Sequence, residues 1–239
     1  MSFVAPARSV LFALIQLVTT PVFALVALAT FPFPLLTRYR VITVWTRLNL
    51  AAARGICGIR YRVIGAANIP AEPCIILCKH QSAWETMALQ EIFPPQVWVV
   101  KRELLWLPFF GWGLAMLAPI AIDRGSRTRA LAQMLEQGKD RLAKGFNIVI
   151  FPEGTRVAPG ARGTYHGGGA WLAVKSAAMV VPVAHNAGEY WRRNAFIKRP
   201  GVVTVSIGPP MSPGDNAGEL NARVQNWIEN EMQRIAHEG

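Results

Sequence analysis

Between Arg8 and Arg38 the chain carries no ionisable side chain. This uncharged run covers residues 9 to 37, which is 29 residues (37 − 9 + 1). As one helix it would be about 44 Å long at 1.5 Å per residue, whereas a bilayer core needs only ~30 Å. The run is too long for the apolar stretch of a signal peptide, and its exit, Phe31-Pro32-Phe33-Pro34, has no small-residue cleavage pattern. It reads as a retained membrane anchor over residues 1–38, ahead of a domain over residues 39–239. Pro21 divides the run into Val10–Thr20 and Val22–Phe31, each roughly 15 Å, or half a core. Arg8 precedes it and Arg38 and Arg40 follow it, so both ends have a claim to the cytosolic side. That favours a re-entrant helical hairpin dipping into the cytosolic leaflet. The competing reading is one Pro-kinked spanning helix.

No acid occurs before Glu72. From Tyr39 to Ile56 the pattern is amphipathic, with Arg40, Arg47 and Arg54 at seven-residue spacing. These fall near one helical face that can lie on anionic headgroups, with Val44, Leu48 and Ala51 expected to face inward; a surface helix with a basic outer face is the equal alternative.

Beyond this point strands and helices alternate. Apolar and β-branched runs predict strands at Ile59–Gly65, Cys74–Cys78, Val97–Val100, Pro119–Ile122, Asn147–Phe151, Val180–Val183 and Val202–Ile207. Helical periodicity predicts Ser82–Ile92, Arg127–Lys144, Gly169–Ala177 and Glu219–Ala236. The fold class is α/β, a mostly parallel sheet covered by helices, preceded by the membrane-anchoring helical segment. Cys74 and Cys78 lie four apart on one strand, about 13 Å at 3.3 Å per residue, too far for a disulfide. The three cysteines form neither a metal set nor a C-x-x-C pair.

Two motifs carry chemistry. In His80-Gln81-Ser82-Ala83-Trp84-Glu85, His80 sits in a strand-to-helix turn and Glu85 in the first helical turn. The imidazole can therefore fold back onto the carboxylate. A carboxylate on one ring nitrogen fixes the tautomer and leaves the other free to accept a proton. Ser82 and Glu85 also match a capping box, which would explain Glu85 without chemistry. Seventy-one residues after His80 comes Phe151-Pro152-Glu153-Gly154-Thr155-Arg156, also at the end of a strand, where ligands of open α/β sheets gather. Gly154 permits a sharp turn and Thr155 adds a hydroxyl. Arg156 can bind a phosphate through paired hydrogen bonds. Glu153 reads either as part of this site or as an acceptor for backbone N–H groups.

H-x4-D/E followed by FPEGTR resembles the glycerolipid acyltransferase superfamily, in particular the bacterial branch acylating 1-acyl-sn-glycerol-3-phosphate. The similarity extends over roughly residues 60–210. Lys101-Arg102-Glu103-Leu104 with Pro108, Phe109 and Gly111 resembles a second block, and Val181-Pro182-Val183 a fourth. Asp123-Arg124 closes the strand between the second and third blocks. Glu85 stands where many relatives have Asp, and His166 where relatives often carry Lys. The resemblance implies that His80 is the general base and Glu85 its orienting partner. Arg156, with Lys101, Thr155, Gly154 and Glu153, would hold the substrate phosphate. It implies no metal or resident cofactor, because acyl-CoA or acyl-carrier protein is consumed as a substrate. Trp106, Phe109, Phe110, Trp112 and Met116 are candidates for an acyl tunnel or for core; His185 reads as structural.

The composition agrees. The formal charge is +11, yet only 16% of residues are charged and 52% are hydrophobic. A nucleic-acid partner would call for dense basic clusters; here the expected partners are membrane lipid, lysophosphatidate and an anionic acyl donor. The expected reaction moves an acyl group from a thioester to the sn-2 hydroxyl of lysophosphatidate. The expected location is a bacterial inner membrane with the catalytic domain facing the cytosol. Alternatives are acylation of another lysolipid or an amino-lipid, or a non-catalytic lipid-binding protein of the same fold.

Overall fold

The computed structural model describes residues 4–123 and 125–237; Arg124 lies outside the described residues. Two long helices come first, α1 (Val4–Ala29) and α2 (Leu35–Gly55). Then follow β1 (Ile59–Ile64), β2 (Ile75–Cys78), α3 (Trp84–Ile92), β3 (Gln96–Lys101), α4 (Phe110–Met116), β4 (Ile120–Ile122), α5 (Arg127–Ala143) and β5 (Asn147–Ile150). The chain closes with α6 (Gly168–Ser176), β6 (Val180–His185), α7 (Ala187–Tyr190), β7 (Gly201–Ile207) and α8 (Ala217–His237).

The seven strands form one sheet in the order β1-β7-β6-β2-β5-β3-β4. Every pairing is parallel except β6 with β7. Each predicted strand is present, with no end shifted by more than two residues. β2 and β5 are central. All four residues of β2 are buried, as are the last three of β5, which is why both read as continuous apolar runs and not as alternation. β6, β2, β5 and β3 are neighbours running the same way. Their carboxyl ends, at His185, Cys78, Ile150 and Lys101, therefore meet at one edge of the sheet.

The anchor departs from the expected plan. Pro21 lies inside α1, which continues unbroken to Ala29. Proline removes only its own N–H from the ladder, and Thr20 Oγ1 donates to the carbonyl of Gln16 at 2.6 Å. The chain reverses later, through Thr30–Pro34, where Pro32 and Pro34 prevent continuation. The expected boundary after residue 38 falls inside α2, which packs against α1 and α3. α1 is tied to the sheet domain near its start. Lys198 N–H donates to Ser9 Oγ at 2.9 Å, and the Phe12 ring meets Trp191 edge-on at 5.2 Å. Its outer side is apolar and exposed at Leu14, Leu17, Val18, Val22 and Leu25. Among the described residues α1 is the one helix long and apolar enough to cross a membrane.

α2 inverts the expected inward face. Tyr39, Ile42, Thr43, Thr46, Asn49, Leu50 and Ala53 are buried, a 3-4 helical spacing, and Tyr39 donates its hydroxyl to the carbonyl of Gln90 at 3.0 Å. Val44, Leu48 and Ala51 are exposed beside Arg40, Arg47 and Arg54. The buried stripe is partly polar because small Thr and Asn side chains bond to their own helix. A search for the most apolar face therefore selects the wrong side.

α4 and the short α7 lie outside the predicted helices. α4 carries two glycines in seven residues, a composition that hides a helix. Gly111 is required by contact: a Cβ there would lie 2.5 Å from the Leu105 carbonyl oxygen.

Candidate active site

The turn after β2 delivers His80, and α3 delivers Glu85. His80 Nδ1 lies 2.8 Å from Glu85 Oε1. The same oxygen accepts the backbone N–H groups of Gln81 at 2.9 Å and Ser82 at 2.8 Å, and Ser82 Oγ accepts from Trp84 N–H at 3.1 Å. The cap and the histidine partner are thus one carboxylate. Glu85 is buried to 1% exposure. Burial alone would raise its carboxyl; the imidazoles of His185 and His80 and the Ser82 N–H outweigh that and hold it below the usual glutamate range. With Nδ1–H donated to an ionised carboxylate, Nε2 is left as the basic nitrogen. The His80 ring stacks on Phe151, centroids 3.9 Å apart and planes 15° from parallel, which limits its rotation.

The turn after β5 lies directly alongside. Val157 N–H donates to the His80 carbonyl at 2.8 Å, and Gly154 takes a φ of +65° to make the bend. His80, Gly154, Thr155, Arg156 and Lys101 border one cavity of about 410 Å³. The basic histidine nitrogen therefore shares a chamber with the guanidinium and the ammonium. The walls are apolar, from Phe23 and Trp45 on the first two helices and Leu104, Phe109, Phe110 and Leu117 around α4. Phe109 and Phe110 thus take the place expected of a tunnel lining. Trp106, Trp112 and Met116 do not border it, and Met116 packs against the core. Phe109 holds a φ of +61°, an unusual conformation for a bulky residue.

Glu153 does not join this group. It is buried with 1% side-chain exposure, 3.4 Å from Lys79 Nζ, and its Oε1 accepts the His80 N–H at 3.5 Å. Burial raises its carboxyl against the pull of Lys79. A carboxylate in that position cannot grip phosphate; it supports the turn from below. His166 is exposed and does not border the cavity, so the Lys-to-His departure leaves the cavity's charge unchanged.

Sequence reasoning missed two contributors, Arg193 and Lys79. Arg193, in the loop after α7, borders the cavity and donates from Nη1 to the Arg156 carbonyl at 3.0 Å; only folding brings the two together. Lys79, immediately before His80, is buried and lies 2.7 Å from Glu229 of α8, whose Oε1 also accepts the Tyr165 hydroxyl at 2.8 Å. His185, at the end of β6, bonds through Nε2 to the Lys79 carbonyl at 2.8 Å, and its Nδ1 accepts the Ala187 N–H at 3.2 Å. Nε2 therefore carries the proton. Burial lowers the pKa of this imidazole, so it is a neutral brace behind His80. The cavity mouth is cationic: Lys101, Arg156 and Arg193 form no ion pair among the described residues. The three cysteines are free and buried.

Comparisons with known proteins give the chain its relatives. A family model described as Acyltransferase matches residues 60–186. The chain is 46% identical over 244 aligned residues to a 1-acyl-sn-glycerol-3-phosphate acyltransferase of Pseudomonas aeruginosa, covering 99% of this chain and 94% of the relative. It is 32% identical to the human 1-acyl-sn-glycerol-3-phosphate acyltransferase alpha, covering 81% of this chain and 71% of that protein. The crystal structure of a 1-acyl-sn-glycerophosphate acyltransferase from Thermotoga maritima shares the fold, with a TM-score of 0.80 at 21% identity, covering 97% of this chain and 96% of that one. The two loops that join His80 to Arg156 lie within the matched span, and the chain belongs to the acyltransferase family.

Proposed function

We propose that the protein is a 1-acylglycerol-3-phosphate O-acyltransferase, moving a fatty acyl group from an acyl thioester to the sn-2 hydroxyl of lysophosphatidate and giving phosphatidate. The observation that carries this reading is the His80–Glu85 pair opening into a chamber with a cationic mouth and apolar walls. His80 Nε2 takes the proton of the acceptor hydroxyl as its oxygen attacks the thioester carbonyl. The resulting tetrahedral centre collapses, breaking the carbon–sulfur bond, and the departing thiolate takes the proton from the imidazolium. Glu85 keeps the ring in its tautomer and stabilises it while charged. Arg156, Lys101 and Arg193 hold the acceptor phosphate, with the Thr155 hydroxyl as a further donor. The apolar walls take the acyl chain. The donor is acyl-CoA or acyl-carrier protein.

The anchor fits a one-sided arrangement. The start of α1 is fixed to the loop before β7 through Ser9 and Lys198, and α2 returns to α3 through Tyr39 and Gln90. A spanning α1 with its start across the membrane would have to break the first contact. We therefore favour a helical pair lying in the leaflet that faces the catalytic domain.

An acceptor panel tests the reading. Purified enzyme with a labelled acyl donor should acylate lysophosphatidate well above monoacylglycerol, which lacks the phosphate, and above lyso-amino-lipids. Arg156→Ala should raise the KM for lysophosphatidate far more than that for the donor. Preference for an uncharged or amino-lipid acceptor would replace the substrate assignment, and no turnover with any acceptor would favour a lipid-binding role.

A further inference from the structure

A second cavity, about 550 Å³ in volume, lies between α2, β1 and α3. It is separate from the acyl-transfer chamber. From α3 it takes Trp84 and Glu91, seven positions apart and so on one helical face, whereas the first chamber takes Thr86 and Gln90, turned about 100° or more away at 100° per residue, with Met87 between the two faces. α2 likewise gives Ile42, Trp45 and Thr46 to the first chamber and Arg47, Leu50 and Arg54 to the second.

The floor of this second cavity is apolar: Leu50, Ile59 and Trp84 are 7%, 2% and 1% exposed. Its rim carries Arg47, Arg54 and Arg60, none of which forms an ion pair among the described residues. The one acid lining it, Glu91, accepts the Tyr61 hydroxyl at 3.0 Å. Three guanidiniums against one carboxylate leave a formal +2 (3 − 1) around the cavity. Guanidinium forks match phosphate oxygens, and the buried floor suits an apolar group attached to that phosphate. Exposed Val44 and Leu48 continue the same outward side of α2.

We propose that this cavity is a second phosphate-binding site, independent of acyl transfer. Two sources share its chemistry, the headgroup of an anionic phospholipid and free inorganic phosphate. The test follows the melting temperature of the full chain in uncharged detergent micelles during titration with phosphatidylglycerol, zwitterionic phosphatidylcholine or inorganic phosphate. Three proteins are compared: wild type, Arg54→Gln/Arg60→Gln, and a charge-matched control, Lys139→Gln/Arg223→Gln, on the exposed faces of α5 and α8. Stabilisation that needs about tenfold or more additional phosphatidylglycerol in Arg54→Gln/Arg60→Gln, with the control unchanged, supports the site with a lipid headgroup as ligand. The same loss in the phosphate titration supports it with free phosphate as ligand. If the double variant does not fold, the single variants Arg54→Gln and Arg60→Gln are titrated in its place. Variants that titrate like wild type with both ligands, a control that loses as much, or equal stabilisation by phosphatidylcholine would overturn the proposal.

Discussion

At the scale of single residues, one oxygen organises the site. Glu85 Oε1 receives the His80 ring and the Gln81 and Ser82 N–H groups, so the geometry that caps α3 also aims the base. Glu85→Gln should disturb both roles, lowering turnover by ~10²–10⁴ because the amide can present its N–H to Nδ1 and reverse the tautomer. It should also change the pH dependence of stability. The folded carboxyl titrates below its usual range, so its contribution is fully present above the unfolded value of about 4.3 and is lost as pH falls through the folded one. Melting curves across acidic pH should therefore show the wild type losing its advantage over Glu85→Gln as pH falls; a constant gap would contradict the shift. His185 acts more remotely. His185→Ala strands the Ala187 N–H in the interior and leaves the Lys79 carbonyl with only the weak Cys78 thiol donor, which should cost about 1–3 kcal/mol for the orphaned group, measurable by denaturant unfolding in detergent.

At the scale of elements, the dyad was readable because its partners lie five residues apart in one strand–turn–helix unit. The β5 turn was readable because Gly154 and Arg156 are local to it. Lys79 and Glu229 are 150 residues apart, and Arg193 reaches Arg156 from a loop 37 residues away; no periodicity signals such meetings. The helical pair at the start was half readable: its apolar length was plain, but the position of its turn and the buried side of α2 depended on packing. α4 was hidden by two glycines, of which its neighbours require Gly111. Gly111→Ala would push a Cβ into the Leu104 and Leu105 carbonyls, at 2.6 Å and 2.5 Å, and should destabilise by about 1–3 kcal/mol. Because Phe109 and Phe110 stand beside it on the chamber wall, activity should fall along with the melting temperature. Unchanged values of both would show that this segment relaxes freely.

At the scale of the whole molecule, an apolar first helix and an amphipathic second helix are joined to the sheet domain so that the chamber lies between them. Phe23 and Trp45 on one side and His80 and Arg156 on the other border the same space. On the proposed function, a lysolipid would enter from the leaflet while the acyl donor approaches the cationic mouth. This arrangement predicts the topology. In a background lacking Cys57, Cys74 and Cys78, the variants Val4→Cys and Thr37→Cys should both resist an impermeant thiol reagent in sealed cells and react once the membrane is opened. Labelling of Val4→Cys alone in sealed cells would show a spanning α1.

The most direct measurement is acyl transfer to lysophosphatidate by purified His80→Ala beside wild type, with melting temperature and membrane binding followed in the same preparations. A general base at His80 predicts that turnover falls by ~10²–10⁴ while folding and membrane binding stay unchanged. Wild-type-like turnover in a properly folded His80→Ala protein would contradict the mechanism.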